Sequence, residues 1–559
     1  MLVRLLASAV VTLAFAVPAH AAVVVHPSSQ SIPPAGVVPG GTQSISLNTA
    51  IGEREGAWIV VTGARSVSQS VDALSLGPLR LEVAFGHFVS FGRKLVPDAL
   101  LPWDGSARPT EHANQPLYVR VIVPPGTSAG RYRATITIHA DGRATRVPLS
   151  VRVFPVVLPP PGRAQGNMLS SFHFSPETYV NKVDALYGFA DNTERAAANR
   201  ALFAWLAAYR ISPASWGFGE PKSPNGYEAS SKWWLDSAGN MARQVDTGLF
   251  SALRIPISNE HRSRPIGGQA PDAPEGWCGY LKRVHEFWRS RGWLQAAPPY
   301  VYGVDEPGAA ELRLVARQAK ATHTCFRGGK QLLTGNPTAR NSFLWDNRGD
   351  DDIDVWSVLV RRWYGKFTVP SKQRTASRAR QNLASIEAVR RRGKDVWSYT
   401  YSGVPGAPGL RADEPLANSR LYLLWNALEG TDGVLYGQGT TNYTAGNPLT
   451  SVLRGGEFVL LYPGRSAPIP SARLEQIRDG LEDAAIFNIV RGKRGSAAVR
   501  STLGASGLFS ADAAGVKLAC NVGCELSGSR PYSWPRWSHD RTTARRIEAA
   551  KLQALILAG

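Results

Sequence analysis

Two adjacent carboxylates lie in the stretch "YVYGVDEPGAAELRLVARQAK" of residues 300–320. Asp305 and Glu306 follow an apolar, aromatic run typical of a buried strand, and a proline and a glycine separate them from a helix-like run. Two acids at one strand end can divide acid–base work if one keeps a raised pKa and acts as general acid. The alternative is that they only cap the following helix, whose amino-terminal dipole favours negative charge.

Eight strand-like runs alternate with amphipathic, helix-like runs after the proline-rich segment of residues 157–162. The strand-like runs begin near residues 167, 211, 251, 300, 331, 354, 395 and 432. This alternation predicts a (β/α)8 TIM barrel. A doubly wound sheet is the alternative, but no G-x-G-x-x-G turn follows the first strand. Because barrel enzymes use the carboxyl ends of their strands, Asp305 and Glu306 fall on the catalytic rim of the fourth strand.

Other strand ends carry aromatic and polar side chains that suit a sugar, since ring faces pack on sugar rings and polar groups bind hydroxyls. The predicted substrate-binding residues are His173, Trp216, Trp356, Trp397, Tyr399, Tyr401, Asp413 and Tyr436. His173 has a packed core histidine as its alternative, and Asp413 has a solvated loop residue. Weaker candidates of the same kind are Asp346, Asn347 and Gln438.

The chain of 559 residues is too long for one ordinary domain. Residues 1–21 have the positive residue, short apolar run and A-x-A site of a signal peptide, which predicts a secreted or envelope-associated protein without a transmembrane segment. Residues 22–160 alternate like the short strands of a β-sandwich, with a hairpin turn at Asp141-Gly142. The barrel is expected over residues 161–470, and residues 471–559 form a C-terminal helical region that opens with Ser471 as N-cap.

The formal net charge is +20, but the basic residues are spread along the chain. This spread disfavours nucleic acid as partner and favours a polysaccharide or glycoconjugate substrate and an anionic cell-envelope polymer. In an exported chain, Cys520 and Cys524 are expected to form a disulfide, whereas Cys278 and Cys325 either pair or stay free. Neither pair has C-x-x-C spacing with a histidine pair nearby, so we expect no metal site and no cofactor.

The seventh strand-like run, "DVWSYTYSG", ends without a glutamate. An ordinary retaining glycosidase needs a second carboxylate there as nucleophile. Adjacent Asp and Glu instead suit substrate-assisted hydrolysis, in which the substrate's own 2-acetamido oxygen attacks the anomeric carbon. Asp305 would polarise the acetamido N–H, and Glu306 would act as general acid and then as general base. In a conventional mechanism Glu414, on the loop after this strand, is the candidate nucleophile.

Four stretches carry a resemblance to a known family. They are "LYVRVIVPPGTSAGRYRATITI" (117–138), "YGVDEP" (302–307), "RADEPLANSRLYLLWNALEGTDGVLYG" (411–437) and "GEFVLLYPGRSAPIPSARLEQIRDGLEDAAIF" (456–487). The chain resembles glycoside hydrolase family 123 and proteins with the domain of unknown function 4091, which would span about residues 400–490. The resemblance implies a sandwich followed by a (β/α)8 barrel and an N-acetyl-β-galactosaminidase-like, substrate-assisted activity. It also implies that Asp305 is the acetamido stabiliser and Glu306 the acid/base.

Two other functions fit the same residues. The first is a non-catalytic, envelope glycan-binding protein in which the acids are helix caps. The second is a conventional two-carboxylate glycosidase that acts on sugars without an acetamido group.

Overall fold

The structure is a computed structural model, and it describes most of the chain. The described residues are 21–72, 76–162, 169–172, 174, 176–214, 248–255, 274–346, 349, 352–363, 372–400, 408–436, 443, 446–452, 459–509 and 542–559. The signal peptide, apart from residue 21, and the Cys520–Cys524 disulfide are predictions that lie outside these residues.

The N-terminal region is built from two β-sheets. Its strands are β1 (Ala22–Pro27), β2 (Ile45–Ile51), β3 (Arg54–Thr62), β4 (Ser66–Asp72), β5 (Arg80–Phe91), β6 (Lys94–Pro102), β7 (Arg108–Pro109), β8 (Asn114–Ile122), β9 (Gly130–Ala140) and β10 (Arg143–Val157). The first sheet runs β1-β3-β8-β5 with β6 beside β5, and the second runs β2-β10-β9-β4-β7. Alternate side chains of both sheets, such as Val119, Ile136 and Val151, share one buried apolar cluster. The two sheets therefore pack face to face.

The hairpin predicted at Asp141-Gly142 joins β9 to β10. Both turn residues have positive φ, 49° at Asp141 and 82° at Gly142. That pair of left-handed residues is the conformation that a tight primed turn requires. The two strands it connects pair antiparallel from Arg143 opposite Ala140 to Val153 opposite Gly130.

Eight parallel strands form the second region, and all eight correspond to the predicted runs. They are β11 (Leu169–Phe172), β12 (Ser212–Pro213), β13 (Leu253–Arg254), β14 (Pro299–Val301), β15 (Lys330–Thr334), β16 (Val355–Leu359), β17 (Asp395–Thr400) and β18 (Gly433–Tyr436). Their order is β12-β11-β18-β17-β16-β15-β14-β13. In the described residues, each strand is hydrogen-bonded to the next in this order, but the two end strands, β12 and β13, are not paired with each other. The Ser212 hydroxyl bridges that gap, because it accepts hydrogen bonds from the amides of Ser251 (2.8 Å) and Ala252 (3.2 Å). The sheet is thus a nearly closed barrel.

Helices lie between most of these strands. They are α1 (Pro176–Tyr187), α2 (Asn192–Ala208), α3 (Pro274–Ser290), α4 (Trp293–Ala296), α5 (Leu312–Cys325), α6 (Val360–Trp363), α7 (Lys372–Arg391) and α8 (Ala417–Glu429), with a 3-10 helix at Ala339–Leu344. A disulfide between Cys278 and Cys325 links α3 to the end of α5, with 5.1 Å between the Cα atoms. In the part of the chain that the structure describes, no helix combines the length and apolar character needed to cross a bilayer.

The last part of the chain ties the barrel to the N-terminal sheets. Its elements are β19 (Ser451–Val452), β20 (Leu461–Tyr462), β21 (Ile469–Pro470), α9 (Ala472–Arg494), α10 (Ser496–Ala505) and α11 (Thr543–Ala558). Strand β19 adds to the first sheet, parallel to β5, with Ser451 opposite Ser90. Ser471 caps α9 as predicted, since its side chain accepts from the Leu474 amide at 3.0 Å. Helix α9 is buried along most of its length.

A buried ionic cluster joins α9 to the N-terminal sheets. Its members are Glu53, Glu55, Arg120, Arg420, Glu475, Arg478, Asp479, Glu482, Asp483 and Lys551. Arg420 links the two regions, because its guanidinium lies 3.0 Å from Glu55 of β3 and 2.6 Å from Asp483 of α9. Arg478 pairs with Glu475, one turn before it on α9, and with its neighbour Asp479. Buried charges are tolerated when they are paired in this way, so the cluster fixes α9 against β3.

Candidate active site

Asp305 and Glu306 lie at the carboxyl end of the barrel strand β14. The strand ends at Val301, and the next helix, α5, begins at Leu312 with Glu311 in the N-cap position. Neither carboxylate therefore caps that helix, which removes the capping alternative. Asp305 is exposed and Glu306 half-buried, so both are accessible at the rim where barrel enzymes carry their catalytic groups.

The barrel interior beneath the two carboxylates is filled by side chains. Tyr300, Leu332, Trp397 and Leu435 belong to one buried cluster inside the barrel. The rings of Tyr300 and Trp397 lie 5.6 Å apart, and the Tyr300 hydroxyl is hydrogen-bonded to that of Ser171. The interior is a packed core, as in other barrels of eight strands. A ligand therefore approaches the carboxylates from the rim.

Asp305 is held by two hydroxyl groups. The Tyr302 hydroxyl donates to Asp305 Oδ1 at 2.6 Å, and the Thr334 hydroxyl lies 3.2 Å from the same oxygen. Burial raises the pKa of Tyr302 well above its usual range, and the charge of Asp305 raises it further. Tyr302 is thus a permanent neutral donor, and it orients Asp305 with one carboxylate oxygen engaged.

Glu306 is held by different partners. Its amide donates to Thr334 Oγ1 at 2.7 Å, and its carboxylate accepts a hydrogen bond from the Tyr399 hydroxyl of β17. Its φ is 43°, in the left-handed region that costs a non-glycine residue roughly 1 kcal/mol or more. Thr334 therefore binds one carboxylate of the pair and the backbone of the other. Because the backbone turns sharply at Glu306, Asp305 is hydrogen-bonded to Tyr302 and Glu306 to Tyr399.

A buried arginine supports the site from the neighbouring strand. Arg254 of β13 is 1% exposed, and its guanidinium donates to the carbonyls of Ala214 (2.9 Å) and Tyr302 (3.1 Å). It also lies 5.5 Å from the centre of the Tyr302 ring. Sequence reasoning missed Arg254, Tyr302 and Thr334. An arginine inside the apolar run "SALRIPI" was the available signal, because a charge in a buried strand is usually functional or paired.

The structure separates the predicted aromatic residues by the face of the strand on which they lie. Trp397 and Tyr399 face the barrel interior, with Tyr399 at the level of Glu306 and Trp397 in the packed layer below. Trp356, with no exposed surface, belongs instead to the large core cluster shared with the helices. Tyr436 is 1% exposed and packs 5.5 Å from the ring of Phe172 in that cluster. The structure therefore does not bring Trp356 or Tyr436 to the carboxylates.

Asp413 and Glu414 lie on the side of the barrel that faces the N-terminal sheets. They line a cleft of about 520 Å³ together with Lys94. The pKa of Asp413 is lowered: burial opposes its ionisation, but two hydrogen bonds from Arg411 and the charge of that guanidinium outweigh burial. The pKa of Glu414 is raised, because burial is the largest effect there. Among the described contacts, no hydrogen bond or ion pair links either residue to Asp305 or Glu306. This placement disfavours Glu414 as a nucleophile in the same site.

Several predicted residues lie outside the described part of the chain. These are His173, Trp216, Tyr401, Asn347 and Gln438. Asp346 is described and is half-buried just beyond the 3-10 helix. In the described residues, no cluster of three histidine, cysteine or acidic side chains is arranged to hold a metal ion.

Comparison with known proteins identifies the fold. No family model and no curated protein matches the sequence. Among solved structures, a family 123 glycoside hydrolase from Clostridium perfringens matches with a TM-score of 0.64 at 13% identity, over 96% of this chain and 98% of that one. The predicted resemblance to family 123 is therefore confirmed at the level of the fold.

Two β-glucuronidase structures overlap this chain much less well. The one from Parabacteroides merdae has a TM-score of 0.30 at 9% identity, over 79% of this chain and 52% of that chain. β-Glucuronidase 3 from Bacteroides uniformis has a TM-score of 0.26 at 11% identity, over 79% and 51% of the two chains. TM-scores this low carry no information about the fold or the site of this chain.

Proposed function

We propose that this chain is an exported glycoside hydrolase that cleaves β-linked N-acetylhexosamine, of the N-acetylgalactosamine type, by a substrate-assisted retaining mechanism. The observation that carries the proposal is the adjacent pair Asp305 and Glu306 at a barrel rim, each held by its own tyrosine. The fold shared with a family 123 glycoside hydrolase, whose described activity is hydrolysis of glycolipid glycans, supports it. A complete (β/α)8 barrel is part of the same proposal.

In the first step the substrate supplies the nucleophile. Its 2-acetamido oxygen forms a bond to the anomeric carbon while the bond to the leaving oxygen breaks, and Glu306 gives its proton to that oxygen. Asp305 accepts a hydrogen bond from the acetamido N–H and balances the positive charge that develops on the resulting oxazolinium ring. Tyr302 and Thr334 orient Asp305 for this contact, because both donate to its carboxylate.

In the second step water opens that ring. Glu306, now a carboxylate, removes a proton from the water, and the water oxygen attacks the anomeric carbon as the acetamido oxygen departs. Two inversions give net retention, and both residues return to their starting protonation states. The absence of any acidic residue in residues 401–407, after the seventh strand, agrees with a nucleophile that comes from the substrate.

The test compares matched aryl glycosides with and without a 2-acetamido group. Wild-type protein is expected to hydrolyse only the acetamido sugars and to be inhibited by a thiazoline that mimics the cyclic intermediate. Glu306→Gln should lower kcat by about 10²–10⁴-fold while sugar binding persists. Glu286→Gln makes the same chemical change at an exposed position on α3 and should leave kcat unaltered.

The alternatives give different results. Sugar binding without hydrolysis by the wild-type protein would identify a glycan-binding protein. Hydrolysis of sugars without an acetamido group, insensitive to thiazoline, would identify a conventional two-carboxylate enzyme. Export is supported by the signal-like pattern of residues 1–21, and N-terminal sequencing of the exported protein should begin at Ala22.

A further inference from the structure

The outer face of the second N-terminal sheet is polar and basic. Side chains on β9 and β10 alternate between buried and solvent-facing positions, and Arg131, Arg133, Arg146 and Arg152 all fall on the solvent side. The inner positions of the same strands belong to the core between the sheets. Most other outward positions on β2, β4, β9 and β10 carry serine, threonine or asparagine.

The register of the strands concentrates the positive charge. Arg152 of β10 lies directly opposite Arg131 of β9, and Arg133 lies opposite Ser150. Like charges in directly opposed positions of a sheet are destabilising, so this arrangement weakens the free sheet slightly. Arg131, Arg133 and Arg146 form no ion pair with any residue that the structure describes. Among the described outward positions on β2, β4, β9 and β10, Asp72 alone is acidic. The guanidinium groups are thus available to an anion.

A groove of about 430 Å³ crosses this face. Arg133, Asp72, Thr135, Ser46 and Ser150 are among the side chains that line it. A guanidinium offers a planar pair of donors that matches a carboxylate or sulfate, while hydroxyl groups both donate to and accept from sugar hydroxyls. The combination of guanidinium groups with hydroxyls at regular strand spacing fits a polymer that repeats both groups.

We propose that this outer face binds an acidic polysaccharide, with uronate carboxylates or sulfates on the arginines and sugar hydroxyls in the groove. Single-stranded nucleic acid is less well matched, since its binding sites stack bases on aromatic rings and no aromatic side chain is exposed on the described part of this face. A membrane surface is less well matched because an interfacial site also inserts apolar side chains. The site is separate from Asp305 and Glu306 and does not depend on the proposed hydrolase activity.

Surface plasmon resonance with the full-length protein tests the proposal. The protein is passed over immobilised polygalacturonate, neutral dextran and single-stranded DNA at several NaCl concentrations. Wild type is expected to bind polygalacturonate in a salt-sensitive manner, with little binding to dextran and weaker binding to DNA. The double variant Arg131→Gln/Arg133→Gln should bind polygalacturonate about tenfold more weakly. Its thermal stability should not fall, because the opposed pair with Arg152 is relieved.

The matched control removes the same charge elsewhere. Arg93, in the turn between β5 and β6, and Arg494, at the end of α9, are both exposed. Arg93→Gln/Arg494→Gln should therefore bind polygalacturonate like wild type. An equal loss in this control would mean that only net charge matters and would overturn the site. Failure of wild type to bind polygalacturonate, or DNA binding of equal strength with the same dependence on Arg131 and Arg133, would also overturn it.

Discussion

At the scale of single residues, Thr334 couples the two carboxylates. Its hydroxyl contacts the Asp305 carboxylate and accepts from the Glu306 amide, so a shift of one residue is transmitted to the other. The same hydrogen bond holds Glu306 in its left-handed conformation. Strained backbone of this kind persists only where surrounding contacts maintain it, and such positions cluster at catalytic sites.

Removing the Tyr302 hydroxyl should lower activity without unfolding the protein. The Tyr302→Phe variant retains the buried ring but loses the 2.6 Å hydrogen bond that orients Asp305. We expect kcat for an N-acetylhexosaminide to fall about tenfold, the equivalent of one hydrogen bond to a charged group, with KM changed less. Steady-state kinetics on the purified variant give the comparison.

Tyr300→Phe provides the matched control for that variant. Tyr300 lies two residues before Tyr302, in β14, and its hydroxyl is hydrogen-bonded to Ser171 in the packed layer below the carboxylates. It should keep wild-type kcat, and both variants should melt within a few degrees of wild type. Equal loss of kcat in Tyr300→Phe would show that general damage to the barrel interior, rather than the orientation of Asp305, controls the rate.

The sequence predicts the carboxylate pair but not the face on which each neighbouring aromatic residue lies. Trp356 and Trp397 occupy similar apolar runs, yet one faces the helices and the other the barrel interior. Strands of a parallel barrel are buried on both faces, so their apolar runs carry no alternation that reveals the inward positions. Thr334 and Arg254 were missed because their role comes from strand neighbours far apart in sequence.

At the scale of elements, close contact between α8 and α9 depends on one glycine. A Cβ atom added at Gly480 would lie 2.7 Å from the Cβ of Leu423, closer than carbon atoms tolerate. Helices whose backbones approach this closely need a residue without a side chain at the point of contact. Gly480 thus determines how near α9 can lie to the barrel helix α8.

Gly480→Ala should destabilise the protein despite the better helix propensity of alanine. Overpacking at a closed interface typically costs about 1–3 kcal/mol in the free energy of unfolding. At Gly492 in the same helix, no atom of the described residues lies within 4 Å of the added methyl group, so Gly492→Ala should instead stabilise by about 0.5–1 kcal/mol. Urea unfolding of the two variants measures both, and stabilisation by Gly480→Ala would contradict the close approach.

The sequence predicts the elements themselves better than their long-range connections. All eight barrel strands and the Ser471 cap follow from local signals of periodicity and capping. The addition of β19 to the first sheet has no such signal, since two residues suffice to form it and its partner Ser90 lies in another part of the chain. Of the ionic cluster, only the pair Glu475–Arg478 has a local signal, because the two residues lie one turn apart on α9.

At the scale of the whole molecule, the buried ionic cluster makes stability depend on pH. Burial raises the pKa of Glu53 to about 8, since the opposing effect of Lys551 is offset by the nearby charges of Glu55, Glu482 and Asp483. The pKa values of Glu55 and Glu475 are lowered to about 2, since nearby cations outweigh the effect of burial. The same cluster thus raises the pKa of one glutamate and lowers the pKa of two others.

The raised pKa of Glu53 reduces stability at high pH, and the lowered pKa values of Glu55 and Glu475 reduce it at low pH. Folded Glu53 keeps its proton up to about pH 8, whereas the unfolded chain releases it near the ordinary value of 4.5, so this group makes unfolding easier as pH rises between those values. The stabilisation from Glu55 and Glu475 is present above pH 4.5 and lost as pH falls towards 2. Their combined contribution to the free energy of unfolding is greatest near pH 5.

Glu53→Gln should weaken the decline of stability between pH 5 and 8, by about 1 kcal/mol per pH unit relative to wild type. The amide replaces the protonated carboxyl group and does not titrate. Urea unfolding at several pH values measures the difference, and Glu387→Gln, which changes a 53% exposed carboxylate, should leave the wild-type slope intact. Parallel curves for wild type and Glu53→Gln would mean that Glu53 is ionised in the folded protein.

The contacts of Lys551 have a consequence for the order in which the chain is made. Glu55 emerges from the ribosome early, but its partner Lys551 follows 496 residues later. Until helix α11 appears, Glu53 lacks its lysine and Glu55 has only Arg420 as a cation, and until β19 appears the first sheet lacks a strand. The region synthesised first is therefore completed last, and a nascent chain interrupted before α11 would leave Glu53 and Glu55 without Lys551.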